Sequence, residues 1–76
     1  MSFMPLAMVC PGEPVQVVGI RAGHGLQRKL ADMGLIPGVI IRVMNGQMPG
    51  PVIIDLRGSR LALGHGVAQK ILVKEV

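Results

Sequence analysis

Glycine and proline interrupt this chain so often that long helices and long strands are excluded. The 76 residues include 11 glycines and 6 prolines, and the runs between them are short and rich in Val, Ile and Leu. Short β-type runs separated by turn residues are typical of a small all-β barrel. Half of the residues are apolar, which is enough for one core. The length predicts a single domain over residues 1–76.

Five runs of apolar residues in this sequence are predicted as strands. They cover residues 15–21, 39–44, 52–56, 61–63 and 71–76. The apolar segment 1–10 lacks the basic stretch and cleavage site of a targeting peptide, so we expect a first strand there. Residues 64–69 are expected to form one helical turn. The predicted fold class is all-β: an SH3-like small barrel of about five strands with one short α-helix at about residues 25–34.

The sequence indicates both the buried face of the predicted helix and the residue at which the helix ends. Leu26, Leu30 and Met33 recur at i, i+4 and i+7, which places them on one helical face. Gly34 suits the left-handed position that follows a helix, and Pro37 prevents the helix from continuing. The helix is therefore expected to lie on the barrel with its leucine face inward.

The strands predicted over residues 52–56 and 61–63 are expected to form a hairpin. Gly58-Ser59 fits a two-residue type II′ turn, which would place Arg57 opposite Arg60. That register buries one common face, made of Val52, Ile54, Leu56, Leu61 and Leu63. Opposed arginines repel each other, and Asp55 on the same outer face would relieve the repulsion. The basic tip is either a solvated turn or a contact for an acidic partner.

Residues that carry chemistry are too few and too scattered to indicate an enzyme. No local nucleophile–base arrangement and no phosphate-binding glycine loop occurs in the sequence. A groove for proline-rich peptides needs aromatic residues, and Phe3 is the sole aromatic residue. The apolar runs are far shorter than the roughly 18 residues of a membrane-spanning helix. The single cysteine, Cys10, excludes an intrachain disulfide, so a reducing compartment such as the cytoplasm is expected.

Two other binding functions remain open from the residues alone. The net charge is +4, but the basic residues are scattered and lack aromatic platforms, which would give only salt-sensitive, unspecific nucleic-acid binding. Cys10, His24 and His65 lie at no local metal-ligand spacing. No cofactor is therefore expected beyond a weak or adventitious metal at His24 or His65. A metal carrier or sensor and a small basic nucleic-acid-binding barrel are the alternative functions.

One string resembles a known signature. Residues 30–38, LADMGLIPG, are similar to the pattern L-x-x-[LM]-G-[LI]-x-P-G of the ferrous iron transport protein A (FeoA) family. The second half agrees, with VIIDLRG at 52–58, LAL at 61–63 and an Ala-x-x-Ile-x-Val pattern at 68–73. The opening PGE at 11–13 is similar too, so the resemblance covers nearly the whole chain. Gly64-His65-Gly66 departs from the pattern.

The resemblance implies an SH3-like accessory protein of ferrous iron uptake. Such a protein is cytoplasmic and works with a membrane-embedded ferrous iron transporter carrying a GTP-binding domain (FeoB), by modulating that domain or by assisting assembly. No catalytic residues carry over. Exposed basic and methionine side chains are expected to form the partner contact, and they are Arg28, Lys29, Met48, Arg57 and Arg60. The open strand edges of such a barrel also allow a homodimer.

Overall fold

The structure, a computed structural model, describes residues 3–45 and 50–76. Within these ranges, six strands, two α-helices and one 3-10 helix follow each other along the chain. The strands are β1 (Met4–Pro5), β2 (Pro14–Ile20), β3 (Ile40–Asn45), β4 (Val52–Leu56), β5 (Ser59–Leu63) and β6 (Ile71–Glu75). The helices are α1 (His24–Asp32) and α2 (His65–Ala68), and the 3-10 helix is Leu6–Met8.

The strands form one antiparallel sheet in the order β1-β6-β2-β3-β4-β5. Pairing shifts by one residue between Val17 and Gly19 on β2 and between Val43 and Asn45 on β3. Such bulges bend a strand and increase its twist, which lets a short sheet curl around its own core. The SH3-like all-β fold predicted from the sequence is confirmed.

The core follows the strand alternation. On β4, Val52, Ile54 and Leu56 are buried and the residues between them are only partly covered. Apolar residues from other strands and both helices complete the core, and among the described residues no polar or charged residue is buried. The larger members are Leu6, Leu30, Leu35, Ile41, Ile54, Leu56, Leu63 and Ile71. Because the interior is apolar throughout the described ranges, any recognition by polar groups takes place at the surface.

The predicted helix and its end are confirmed. Leu30 is buried, and Leu26 and Met33 pack partly buried against the core. Gly34 has φ +94°, its N–H donates to the Ala31 carbonyl, and the Leu35 N–H donates to the Leu30 carbonyl. This pair of bonds is a Schellman motif, which satisfies the last carbonyls of the helix. The helical turn expected over 64–69 is also found, as α2.

The N-terminal strand is much shorter than expected. Only Met4 and Pro5 pair with β6, and the chain then turns into the 3-10 helix instead of continuing as a strand. Leu6 is fully buried. The 3-10 helix therefore contributes a core side chain at the point where a longer strand was expected.

The predicted hairpin turn was wrong by one residue. The turn consists of Arg57 and Gly58, with Ser59 opposite Leu56 and Arg60 opposite Asp55, so Arg57 does not face Arg60. Both turn residues have positive φ, +53° and +89°, which defines a type I′ turn rather than type II′. The Asp55 carboxylate accepts a hydrogen bond of 2.8 Å from the Gly58 N–H. The inward face is nevertheless the one predicted, because the two registers differ by two residues and so keep every side chain on its face. Leu61 on that face is only partly buried.

Candidate partner-binding surface

An open groove of about 740 Å³ lies between the segment that follows α1 and the β4–β5 hairpin. One wall consists of residues 33–34 and 36–39, and the other of Leu56, Arg57, Ser59 and Leu61. The lining is mainly apolar, with one charged residue, Arg57. We call this feature the hairpin groove.

The wall formed by residues 33–39 is held by backbone hydrogen bonds. The buried Leu35 anchors it in the core, and the next residue, Ile36, is left 49% exposed. The Gly38 N–H donates to the Val17 carbonyl at 2.7 Å, and the Val39 N–H donates to the Ile36 carbonyl at 3.2 Å. The segment is therefore tied to α1 on one side and to β2 on the other, so Ile36 is presented from a fixed backbone.

Arg57 is presented by the tight turn of the opposite wall. Its left-handed φ is uncommon for a residue with a long side chain, and the Asp55–Gly58 hydrogen bond closes the turn around it. Arg57 also borders a second, shallow depression on the outer face of β3, together with Ile40, Arg42 and Asp55. Arg57 thus borders both the hairpin groove and the outer depression.

The outer depression combines apolar and charged groups. Ile40 is 53% exposed and Met44 is 37% exposed, and both lie on the outer face of β3. Arg42 pairs across the sheet with Asp55, which in turn pairs with Arg60. A carboxylate between two arginines on neighbouring strands lowers the repulsion between those arginines.

Four of the five residues predicted for partner contact are described by the structure, and they lie in different places. Arg57 lines the hairpin groove, whereas Arg60 is exposed on the outer face of the same hairpin. Arg28 and Lys29 are exposed on α1. Arg28 borders a separate depression that shares no lining residue with the groove. Met48 lies outside the described residues.

The groove contains two apolar residues that the sequence reasoning did not single out, Ile36 and Leu61. Leu61 was expected in the buried face of the hairpin and is only partly covered, because it borders the groove. The run Leu35-Ile36 directly before Pro37-Gly38 was an available signal. In the structure, Leu35 of this pair is buried and Ile36 is exposed.

The residues considered for metal binding do not form a cluster in the described part of the chain. No group of three or more His, Cys, Asp or Glu side chains able to hold a metal ion occurs there. Cys10 and His24 are exposed. His65 is partly exposed, and its Nε2 is buried without a hydrogen-bond partner. Among the described residues, no helix is long and apolar enough to cross a bilayer.

Comparison with known proteins gives a consistent result. The model of the FeoA domain family matches residues 4–75. A protein of Methanocaldococcus jannaschii named "Putative Fe(2+) transport protein A" is 44% identical over 71 residues, which is 93% of this chain and 85% of that protein. A crystal structure of an iron uptake regulatory protein (FeoA) superimposes with a TM-score of 0.88 at 36% identity over the full length of both chains. A manganese-dependent transcriptional repressor shares the fold, with a TM-score of 0.89 at 23% identity, over 38% of its own length.

Proposed function

The chain belongs to the FeoA family, and we propose that it is a cytoplasmic accessory protein of ferrous iron transport that acts by binding a partner and not as an enzyme. The names of its relatives, an Fe(2+) transport protein A and an iron uptake regulatory protein, support the transport role. The partner we propose is the membrane-embedded ferrous iron transporter with a GTP-binding domain, whose activity the contact modulates.

The observation that carries this proposal is the hairpin groove. Its walls are fixed by backbone hydrogen bonds, its lining is apolar, and Arg57 supplies one positive charge. A preformed apolar groove with a single well-placed charge fits recognition of a protein segment, since the apolar area provides affinity and the charge provides specificity. The described interior has no buried polar residue that would serve a reaction.

Binding of the full-length transporter in lipid nanodiscs tests the proposal. The chain is immobilised, and affinity is measured with GTP analogue, with GDP and without nucleotide. We expect saturable binding that weakens as salt is raised, because the contact includes Arg57. Arg57→Glu is expected to weaken binding by about tenfold or more. Absence of binding by the folded wild-type chain in all three nucleotide states would refute the proposed partner.

A matched variant separates the groove from the helix face. Arg28→Glu makes the same charge change on α1, away from the groove lining, and is expected to change affinity by less than about twofold, as for charges outside a contact. An equal loss in both variants would show that net charge, and not the groove, drives binding.

The same preparation tests the two alternative functions. A nucleic-acid binder would be retained on heparin with a steep salt dependence. A metal carrier would bind ferrous iron stoichiometrically and lose it in His24→Ala or His65→Ala. Either result in the absence of transporter binding would replace the proposal.

A further inference from the structure

Strand β5 ends the sheet and is paired on one side only. Within the described ranges its single neighbour is β4, and the register of the two is regular from Leu56–Ser59 to Val52–Leu63. The strand at the other end of the sheet, β1, has only 2 residues, too few to template another strand. In the part of the chain that the structure describes, the 5-residue strand β5 is therefore the regular open edge of the sheet.

The backbone groups on that edge follow from the hairpin register. Pairs in an antiparallel ladder alternate between hydrogen-bonded and non-hydrogen-bonded, and the Leu56–Ser59 pair that closes the two-residue turn is a hydrogen-bonded one. Arg60 and Ala62 then belong to non-hydrogen-bonded pairs, with Asp55 and Ile53. Their N–H and C=O groups point away from β4, toward the open edge.

The hairpin groove lies along the inner face of the same strand. Ser59 and Leu61 of β5 contribute to its wall, and Ile36 stands on the opposite wall. A chain paired with this edge would direct alternate side chains to the two faces of the sheet. Those on the inner face would enter the groove, and those on the outer face would lie beside Arg60.

The charges near β5 distinguish between two candidate partners for its open edge, a second copy of this protein and an acidic segment of another protein. Arg57 is the one charged residue that lines the groove, and Arg60 is exposed on the outer face of the edge. Pairing with β5 of a second copy would bring two such arginine pairs together, and like charges on adjacent strands are destabilising. Basic side chains on an edge are a known means of preventing self-association. A chain that carries acidic residues is therefore favoured over a second copy of this protein.

We infer that the open edge of β5 takes up an extended segment of the partner protein as an added strand, a segment in which aliphatic and acidic residues alternate. Its aliphatic side chains occupy the hairpin groove against Ile36 and Leu61, and its acidic side chains meet Arg57 and Arg60. Main-chain hydrogen bonds to Arg60 and Ala62 supply affinity in this mode, and the groove selects side chains. The inference rests on the proposed function, because it specifies how the transporter is bound.

Residue-resolved amide hydrogen exchange of the full chain, with and without the nanodisc-embedded transporter, tests the mode directly. The amides of Arg60 and Ala62 are expected to exchange fast in the free chain and to slow by at least about tenfold in the complex. Ser59 and Leu61 amides, bonded to β4, are expected to be protected in both states. Unchanged exchange at Arg60 and Ala62 in a chain that binds the transporter would overturn the inference.

A pair of variants at one exposed position provides an independent test. Ala62→Pro removes the outward N–H, and proline is tolerated on an open edge because no bond to β4 is lost. Ala62→Val keeps the N–H. We expect Ala62→Pro to weaken transporter binding by about tenfold or more and Ala62→Val by less than about twofold.

The results with these variants distinguish failure of the strand-addition inference from failure of the proposed function. If folded Ala62→Pro binds like wild type while Ile36→Asp abolishes binding, the groove is used without strand addition, and only this inference is overturned. If the wild-type chain does not bind, the proposed function itself fails. Should Ala62→Pro unfold, as judged by circular dichroism, the exchange pattern of the wild-type chain decides alone.

Discussion

Replacing Arg57 by asparagine is expected to stabilise the protein while it removes a side chain of the proposed contact surface. Arg57 occupies the first central position of a type I′ turn with φ +53°. An L-residue with a long side chain pays an energetic cost in this left-handed conformation, whereas asparagine tolerates it. Asn-Gly is also the pair that type I′ hairpins favour most. Among the described residues, the exposed Arg57 side chain has no hydrogen-bond partner that would offset the gain.

The size of the effect follows from the same geometry. A left-handed conformation costs an L-residue about 1–2 kcal/mol, of which asparagine recovers a part, so we expect Arg57→Asn to raise the free energy of unfolding by about 1 kcal/mol. For a domain of this length such a gain raises Tm by about 4–8 °C. Urea unfolding followed by circular dichroism, with Tm from calorimetry, measures both quantities.

Arg60→Asn is the matched control within the same hairpin. Arg60 lies in extended strand opposite Asp55, where asparagine is a poor strand former, so this variant is expected to lose up to about 1 kcal/mol. The two variants remove the same charge and are predicted to change stability in opposite directions. If Arg57→Asn were neutral or destabilising, the left-handed backbone would not be costly there and the reasoning would be refuted.

Three further substitutions test the packing of the fold, each measured by urea unfolding. Gly34→Ala is expected to cost about 2–3 kcal/mol, because a Cβ there would lie 3.0 Å from Leu56 Cδ2 in addition to the strain of a positive φ. Gly38→Ala, with a similar φ and open space around it, should cost only about 1–2 kcal/mol, and equal losses would exclude the Leu56 contact as a cause. Leu6→Ala is expected to cost about 2–5 kcal/mol, since Leu6 is fully buried, and a loss below 1 kcal/mol would show that the 3-10 helix is not part of the core. Asp55→Ala removes the hydrogen bond that closes the hairpin turn and should cost about 1 kcal/mol; an unchanged midpoint would contradict that role.

The helix and its end were predictable because their signals are local. The leucine spacing defines the buried face of α1, and Gly34 and Pro37 end the helix by conformational restrictions that act within a few residues. The alternation of β4 was predictable for the same reason. Strand pairing order and the bulges depend on contacts between distant parts of the chain, which a single sequence does not display.

The hairpin register shows where local reasoning fails. Turns at Arg57-Gly58 and at Gly58-Ser59 bury the same leucines and isoleucines, so the hydrophobic pattern does not choose between them. Local conformational propensity favoured the turn at Gly58-Ser59, because arginine is unusual at positive φ. Both turn types match the twist of the strands, and the observed turn gains the Asp55–Gly58 hydrogen bond. That hydrogen bond could not be predicted from the sequence alone.

The hairpin groove could not be predicted from the sequence, because its two walls come from residues far apart in the chain. Ile36 and Leu61 each have an ordinary explanation when taken singly, as one exposed and one half-covered aliphatic side chain. Only the fold places them on facing walls. Of the four predicted contact residues that the structure describes, Arg57 alone lines that groove. The prediction of Arg57 was based on its charge and on a hairpin register that was incorrect.

Departures from local rules in a folded protein tend to collect at functional sites. Here a long basic side chain is held at positive φ, and a large aliphatic side chain stands 49% exposed at the end of a buried run. Stability alone favours neither feature, and Arg57 and Ile36 line the same groove. Arg28 and Lys29, by contrast, follow the ordinary rule for the solvent face of a helix. This difference ranks the groove above the helix face as the proposed contact surface. It also gives a reason why the change at Arg57 that is expected to stabilise the fold is also expected to weaken the proposed contact.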